Sequence, residues 1–181
     1  MIFYLAVNIE LNKDCTISRE KIMENIEAGK MVERYCALTI GLLFLILGLI
    51  GFTPALVSLP GTNESFVSLD ASPNSYAAGF GYIFGLFPTN FLHNLVHCAV
   101  GLLGITSYLS ASSARLFNRV FAVAYAALAI VGLLPFGQTF FGSMPLFGNN
   151  VWLNALSAIA AGYYGVVIPS KVTGVSVSQN I

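Results

Sequence analysis

Eleven of the sixteen charged side chains stand in the first 34 residues, and the remaining 147 residues carry five. No charge appears between Tyr35 and Asn63, or between Ala71 and Ala114. A soluble domain cannot cover its surface on such terms: charged residues make up 9% of this chain, against roughly 25% in an ordinary soluble domain. A lipid-facing surface removes the conflict. At 181 residues the chain is long enough for one domain, and its net charge of zero lacks the basic field that nucleic-acid binding needs.

The apolar runs divide into four spans. The first, about residues 35–57, is YCALTIGLLFLILGLIGFTPALV, close to the ~20 residues that one helix needs to cross a bilayer. Pro54 and then Pro60-Gly61 end it, and a polar loop over 59–78 follows. Pro88 divides the next run, because the residue before a proline is biased out of helix. The second span therefore covers about 89–109, and the preceding GFGYIFGLF reads as an interfacial or re-entrant piece. SASSAR links to a third span at about 117–135. An aromatic turn with Phe136, Phe140, Phe141 and Phe147 precedes the fourth, at about 150–168, which Pro169 stops. The expected fold is an all-α membrane protein of four transmembrane helices.

Residues 1–30 read as a polar N-terminal extension, with a short helix capped by Ser18 and stopped at Gly29. Met31 is an alternative start of the chain. Residues 31–169 form the transmembrane domain, and 170–181 a flexible tail. Cys15, Cys36 and Cys98 form no Cys-x-x-Cys pair, so a disulfide framework or a zinc finger is not expected.

Orientation follows from the basic residues. Lys13, Arg19, Lys21, Lys30 and Arg34 precede the first span, Arg115 and Arg119 join the second to the third, and Lys171 follows the fourth. All lie on one side, which the positive-inside rule makes cytoplasmic, together with both termini. The opposite loops carry only Glu64 and Asp70.

A weak internal repeat accompanies this topology. LFPTNFLHNLVHCAVG, from Leu86, aligns without gaps on LFGNNVWLNALSAIAA, from Leu146. Asn90 and Asn94 fall on Asn150 and Asn154, and Arg34 and Arg119 each stand just before the preceding helix. Two related hairpins in the same orientation would produce this pattern.

The run Asn90, His93, Asn94, His97 carries the candidate chemistry. Asn90, Asn94, His97 and Gly101 share one helical stripe, as do Asn150, Asn154, Ser157, Ala161 and Gly165. These stripes predict that the second and fourth spans pack together, with small residues in contact and amides bonded across the gap. Asn90 and Asn150 also stand where helix N-caps are expected. The structural reading is an interhelical hydrogen-bond cluster. The sharper reading is a metal site at His93 and His97, which stand four residues apart, completed by Asp70 or Glu64. A single axial histidine could instead hold a haem or chlorophyll, whereas a bis-histidine haem is disfavoured because both histidines lie on one helix.

GYIFGLFPTNFLHNLVHCAVGLLG resembles the signature of a bacterial membrane family, prominent in cyanobacteria, known as domain of unknown function 4383. The likeness extends over about residues 33–168, from RYCALTIGLLFLILGLIGF to PLFGNNVWLNALSAIAAGYYG. It implies four helices and a bacterial membrane, plasma or thylakoid, and supplies no activity. Members of that family often carry histidine where this chain has Asn154, so a site needing a third histidine is not expected here.

No Gly-rich phosphate loop, Ser/His/Asp set or paired carboxylates occur, so an enzyme is not expected. The leading expectation is a structural or accessory membrane protein that packs with itself or with a larger complex. A metal- or cofactor-binding membrane protein is the alternative. A small transporter is a further one, weakened because no Asp, Glu or Lys lies in a span and Arg119 sits only at the first turn of the third.

Overall fold

In the computed structural model, residues 2–59 and 78–168 are described, with side chains described from residue 16. Four helices dominate: α1 (Ile2–Gly51), α2 (Phe91–Ser107), α3 (Ala111–Leu133) and α4 (Asn149–Gly162), which runs on into a π-helical turn, Tyr163–Val167. Two helical stretches, Thr16–Gly51 and Ala111–Leu133, are long and apolar enough to cross a bilayer, and Phe91–Ser107 is a shorter apolar helix.

The helices form two hairpins. α1 packs mainly on α2, and α3 on α4, while α1 and α3 meet in the middle. Phe44 of α1 is the hub, edge-on to Phe121 at 5.3 Å and to Tyr125 at 4.9 Å between ring centroids. Ile40, Ala158 and Ala161 complete the buried cluster around it. Each hairpin is closed at its base by an arginine of its first helix. Arg34 Nε donates to the Tyr108 carbonyl at 2.7 Å, and Arg119 Nε to the Gly165 carbonyl at 2.8 Å. This shared clasp matches the repeat read from the sequence, and the end that carries it is called the basic end here.

The α1–α2 contact depends on backbone proximity. A Cβ on Gly101 would lie 2.5 Å from the Leu45 nitrogen, and one on Gly41 would lie 2.6 Å from the Ile105 nitrogen. The small stripe of α2 therefore faces α1. The expected packing of α2 on α4 is at most marginal: the glycines of α2 face α1, while α4 packs mainly on α3 and turns Ala158 and Ala161 to the central cluster.

Three other expectations are corrected. The N-terminal segment is not a separate helix stopped at Gly29. α1 is continuous for 50 residues, since Lys30 to Arg34 are helix-compatible and one internal glycine costs only about 1 kcal/mol. SASSAR is mostly helix: Ser110 caps α3 by accepting the Ser113 amide, so α3 starts at Ala111 rather than near 117.

The third correction is to the all-α expectation: GFGYIFGLF forms strand, so the chain is not wholly α. It forms a β-hairpin of β2 (Gly81–Ile83) and β3 (Phe87–Thr89), with β1 (Val57–Ser58) along the other edge of β2. All pairings are antiparallel. Phe84 and Gly85 turn the chain with φ of 51° and 70°. The Leu86 amide donates to the Ile83 carbonyl across them, as in a type I′ turn.

Candidate functional site: a buried amide and histidine cluster

At the end of the bundle away from the basic end, β3 and the start of α2 meet the loop before α4. Asn90, His93, Asn94, His97, Asn150 and Asn154 are all buried there or just below, none more than 5% exposed. Unpaired amides would be costly in such surroundings, by a few kcal/mol each in order of magnitude. Most of these side chains have identifiable partners.

Asn90 is the N-cap expected from its position. Its Oδ1 accepts the His93 amide at 2.8 Å, and its Nδ2 donates to the Ser143 carbonyl at 2.8 Å, in the α3–α4 loop. Asn150, the matching residue of the repeat, was expected to cap α4 and does not. Gly148, at φ 63°, takes the cap position, which leaves the Asn150 side chain free to cross to the other hairpin. Its Nδ2 donates to the Pro88 carbonyl at 2.6 Å and to the Pro145 carbonyl at 2.9 Å. Each asparagine thus bonds the backbone that leads into the other's helix. Asn149 adds a bond to the Leu86 carbonyl at 3.1 Å.

Asn94 sits lower. Its Oδ1 accepts the Thr89 hydroxyl, and a Cβ at Gly51 would overlap its amide, so the glycine that ends α1 makes room for the amide where it stands. Asn154 is buried on α4 but makes no hydrogen bond to the other cluster residues.

The two histidines face each other. His93 Nε2 and His97 Nε2 are 2.8 Å apart, with the ring planes at 84°. That distance fits an N–H···N hydrogen bond, in which, with both rings neutral, one donates and the other accepts. Tautomer logic then gives one Nδ1 a proton and the other a lone pair, and both Nδ1 atoms are buried without a hydrogen-bond partner. The Pro145 carbonyl faces His93 without reaching hydrogen-bond geometry. His97 packs edge-on against Phe44 at 4.8 Å, which couples the cluster to the central core.

The described residues bring only these two candidate ligands together. Among the described residues no group of three His, Cys, Asp or Glu side chains could share an ion. Asp70 and Glu64 lie outside the described residues. The 2.8 Å between Nε2 atoms is also tighter than the roughly 3.3 Å set by tetrahedral zinc with bonds of ~2.0 Å. Within the cluster and its rim, Asn90, Asn149 and Asn150 are the side chains that bond across from one hairpin to the other.

A second cluster, at the basic end, escaped the sequence reading. Glu33 is 1% exposed, and its carboxylate accepts two bonds from Arg115, from Nε at 2.9 Å and from Nη2 at 3.1 Å. Asn118 Nδ2 donates to the Glu33 carbonyl at 3.0 Å. The hairpins are therefore tied at both ends, by amides at one and by an ion pair at the other. The partners are 82 residues apart, so nothing local marks them. The available hint was that Arg115 and Glu33 both stand at the charged end of an otherwise charge-free helix.

Comparison with known proteins gives a family and no activity. No curated protein and no solved structure matches the chain. The model of the family described as domain of unknown function (DUF4383) matches residues 34–167, which takes in both hairpins, both arginine clasps and the whole amide and histidine cluster. The chain belongs to the DUF4383 family.

Proposed function

We propose that this chain is a multi-pass integral membrane protein with both termini cytoplasmic. In this reading it serves as a structural or accessory helix bundle that packs with itself or with a larger complex. The observation that carries the reading is an inverted distribution of polarity. Leu42, Ile46, Leu103, Val123, Ile130 and Ile159 are exposed, on all four helices, while the asparagines and histidines are buried. Soluble monomers rarely expose contiguous apolar patches beyond a few hundred Å².

Helix lengths agree. At 1.5 Å per residue, α2 is about 26 Å long and α3 about 35 Å, against a hydrocarbon core of ~30 Å. The α4 helix with its π-turn reaches about 28 Å by the same arithmetic. The packing role is supported by a lateral groove of about 570 Å³ between α3 and α4, floored by Ala126, Ala129, Gly132 and Ala155 and flanked by Trp152. Small residues of this kind let a further helix approach closely. The reading assigns the chain no catalytic role. Membranes containing the chain, washed in alkaline carbonate, should retain it in the pellet. Release into the supernatant would refute membrane embedding.

Metal binding at His93 and His97 is the second reading, favoured by the convergence of two buried Nε2 atoms. Elemental analysis of purified protein tests it. A metal at stoichiometric level, lost on His97→Ala, would establish it. The hydrogen-bonded geometry leads us to expect no such metal.

A further inference from the structure

We infer that the base of each hairpin is a binding site for the phosphate of an anionic phospholipid, with Arg34 at one site and Arg119 at the other. The inference rests on the membrane reading above. The first observation is a difference in how the basic residues are used. Lys30 is paired with Glu27 at 2.7 Å, and Arg115 is paired with Glu33. Arg34 and Arg119 have no acidic partner among the described residues, and neither do Arg19 and Lys21; Arg34 and Arg119 differ from all of these in being bonded to the backbone of a neighbouring helix.

The second observation is how each guanidinium is held. Arg34 and Arg119 each use Nε to bond a carbonyl at the end of the neighbouring helix. Such a bond caps a helix C-terminus, where positive charge is favourable. Capping alone would need no more than that. It leaves the terminal amino groups of both arginines without a protein acceptor among the described residues, on guanidinium planes already fixed in position. A fixed fork is the geometry that binds phosphate oxygens in pairs.

The third observation is aromatic. Arg34 stacks over the Tyr108 ring at 4.7 Å, and Tyr35 lies beside Tyr108 with ring centroids 5.6 Å apart. At the other base Tyr163 and Tyr164 pair at 5.2 Å, next to Gly165, whose carbonyl Arg119 holds. An arginine with a tyrosine pair occurs once per hairpin, at the end where the cytoplasmic headgroups would lie. Tyrosine is enriched at that depth because its ring is apolar and its hydroxyl polar. Anionic headgroups are the matching chemistry, and they are attracted to basic side chains at the membrane surface.

Native mass spectrometry of the full chain in detergent, titrated with dioleoylphosphatidylglycerol or dioleoylphosphatidylcholine, tests this. Wild type should bind two phosphatidylglycerol molecules about tenfold more tightly than phosphatidylcholine. Arg34→Gln and Arg119→Gln should each remove one of them, with a loss of about fivefold or more. The double variant should bind both lipids alike. Lys30→Gln, which removes a charge from the same end, should change nothing.

Three results would overturn the sites. They are a double variant that keeps the phosphatidylglycerol preference, a Lys30→Gln loss equal to that of Arg34→Gln, or displacement of the lipid by millimolar inorganic phosphate. If glutamine unfolds the chain, the Arg34→Lys/Arg119→Lys variant keeps both charges and carries the test. A loss of about threefold is expected from the missing fork, and wild-type binding would overturn the inference. Carbonate extraction separates the two failures: a chain retained in membranes without lipid preference refutes the sites and leaves the membrane reading intact.

Discussion

Gly101→Val is expected to separate α1 from α2 and to destabilise the bundle by about 3 kcal/mol or more. The reason is that the opposing atoms are main chain. A Cβ on Gly101 would stand 2.5 Å from the Leu45 nitrogen and 2.7 Å from its Cα, so no side-chain rotation can relieve the clash. Only movement of a whole helix can, and that would also pull Gly41 and Gly104 out of contact. Leu103→Val serves as the control, because Leu103 is 60% exposed on the same helix, and an exposed apolar exchange should stay within about 0.5 kcal/mol. Denaturation of the two variants in mixed micelles would compare them. Equal stability would mean that the α1–α2 contact is not as close as described.

Arg115→Ala is the second change with a large expected effect. It strands the Glu33 carboxylate at 1% exposure, and removing one partner of a buried ion pair costs about 3–5 kcal/mol. The lower figure applies here, since the Arg115 side chain is 38% exposed and water can reach that side. Adding Glu33→Gln to Arg115→Ala should recover most of the loss, because the stranded charge is then gone. A double-mutant cycle reads the coupling directly. If Arg115→Ala falls within about 0.5 kcal/mol of wild type, the pair contributes nothing to holding the hairpins together.

Much of the organisation could be read in the sequence, for physical reasons that particular residues make clear. Charge-free runs bounded by prolines outline the helices, and the Arg34/Arg119 and Asn90/Asn150 correspondences give the paired hairpins. Asn90 caps α2 because asparagine one residue before an apolar helix has few better uses. Its counterpart Asn150 shows the limit of that argument. Gly148 can turn into the helix unaided, so the amide goes to Pro88 in the other hairpin, a choice made by tertiary contact. The helix pairing fails similarly: small stripes on α2 and α4 announce close packing without saying against what. The strand pair at 81–89 is hidden because its residues are almost all apolar, and period-two alternation cannot be seen in such a run.

Reporter fusions test the central claim most directly. Paired alkaline phosphatase and green fluorescent protein reporters, one set between residues 60 and 77, one in the 134–148 loop, one at the α2–α3 turn near Leu109 and one after Ile181, report the side on which each lies. A bundle of two hairpins with cytoplasmic termini predicts phosphatase activity from the first two positions and fluorescence from the last two. Fluorescence from either of the first two positions, or phosphatase activity from the α2–α3 turn, would contradict it.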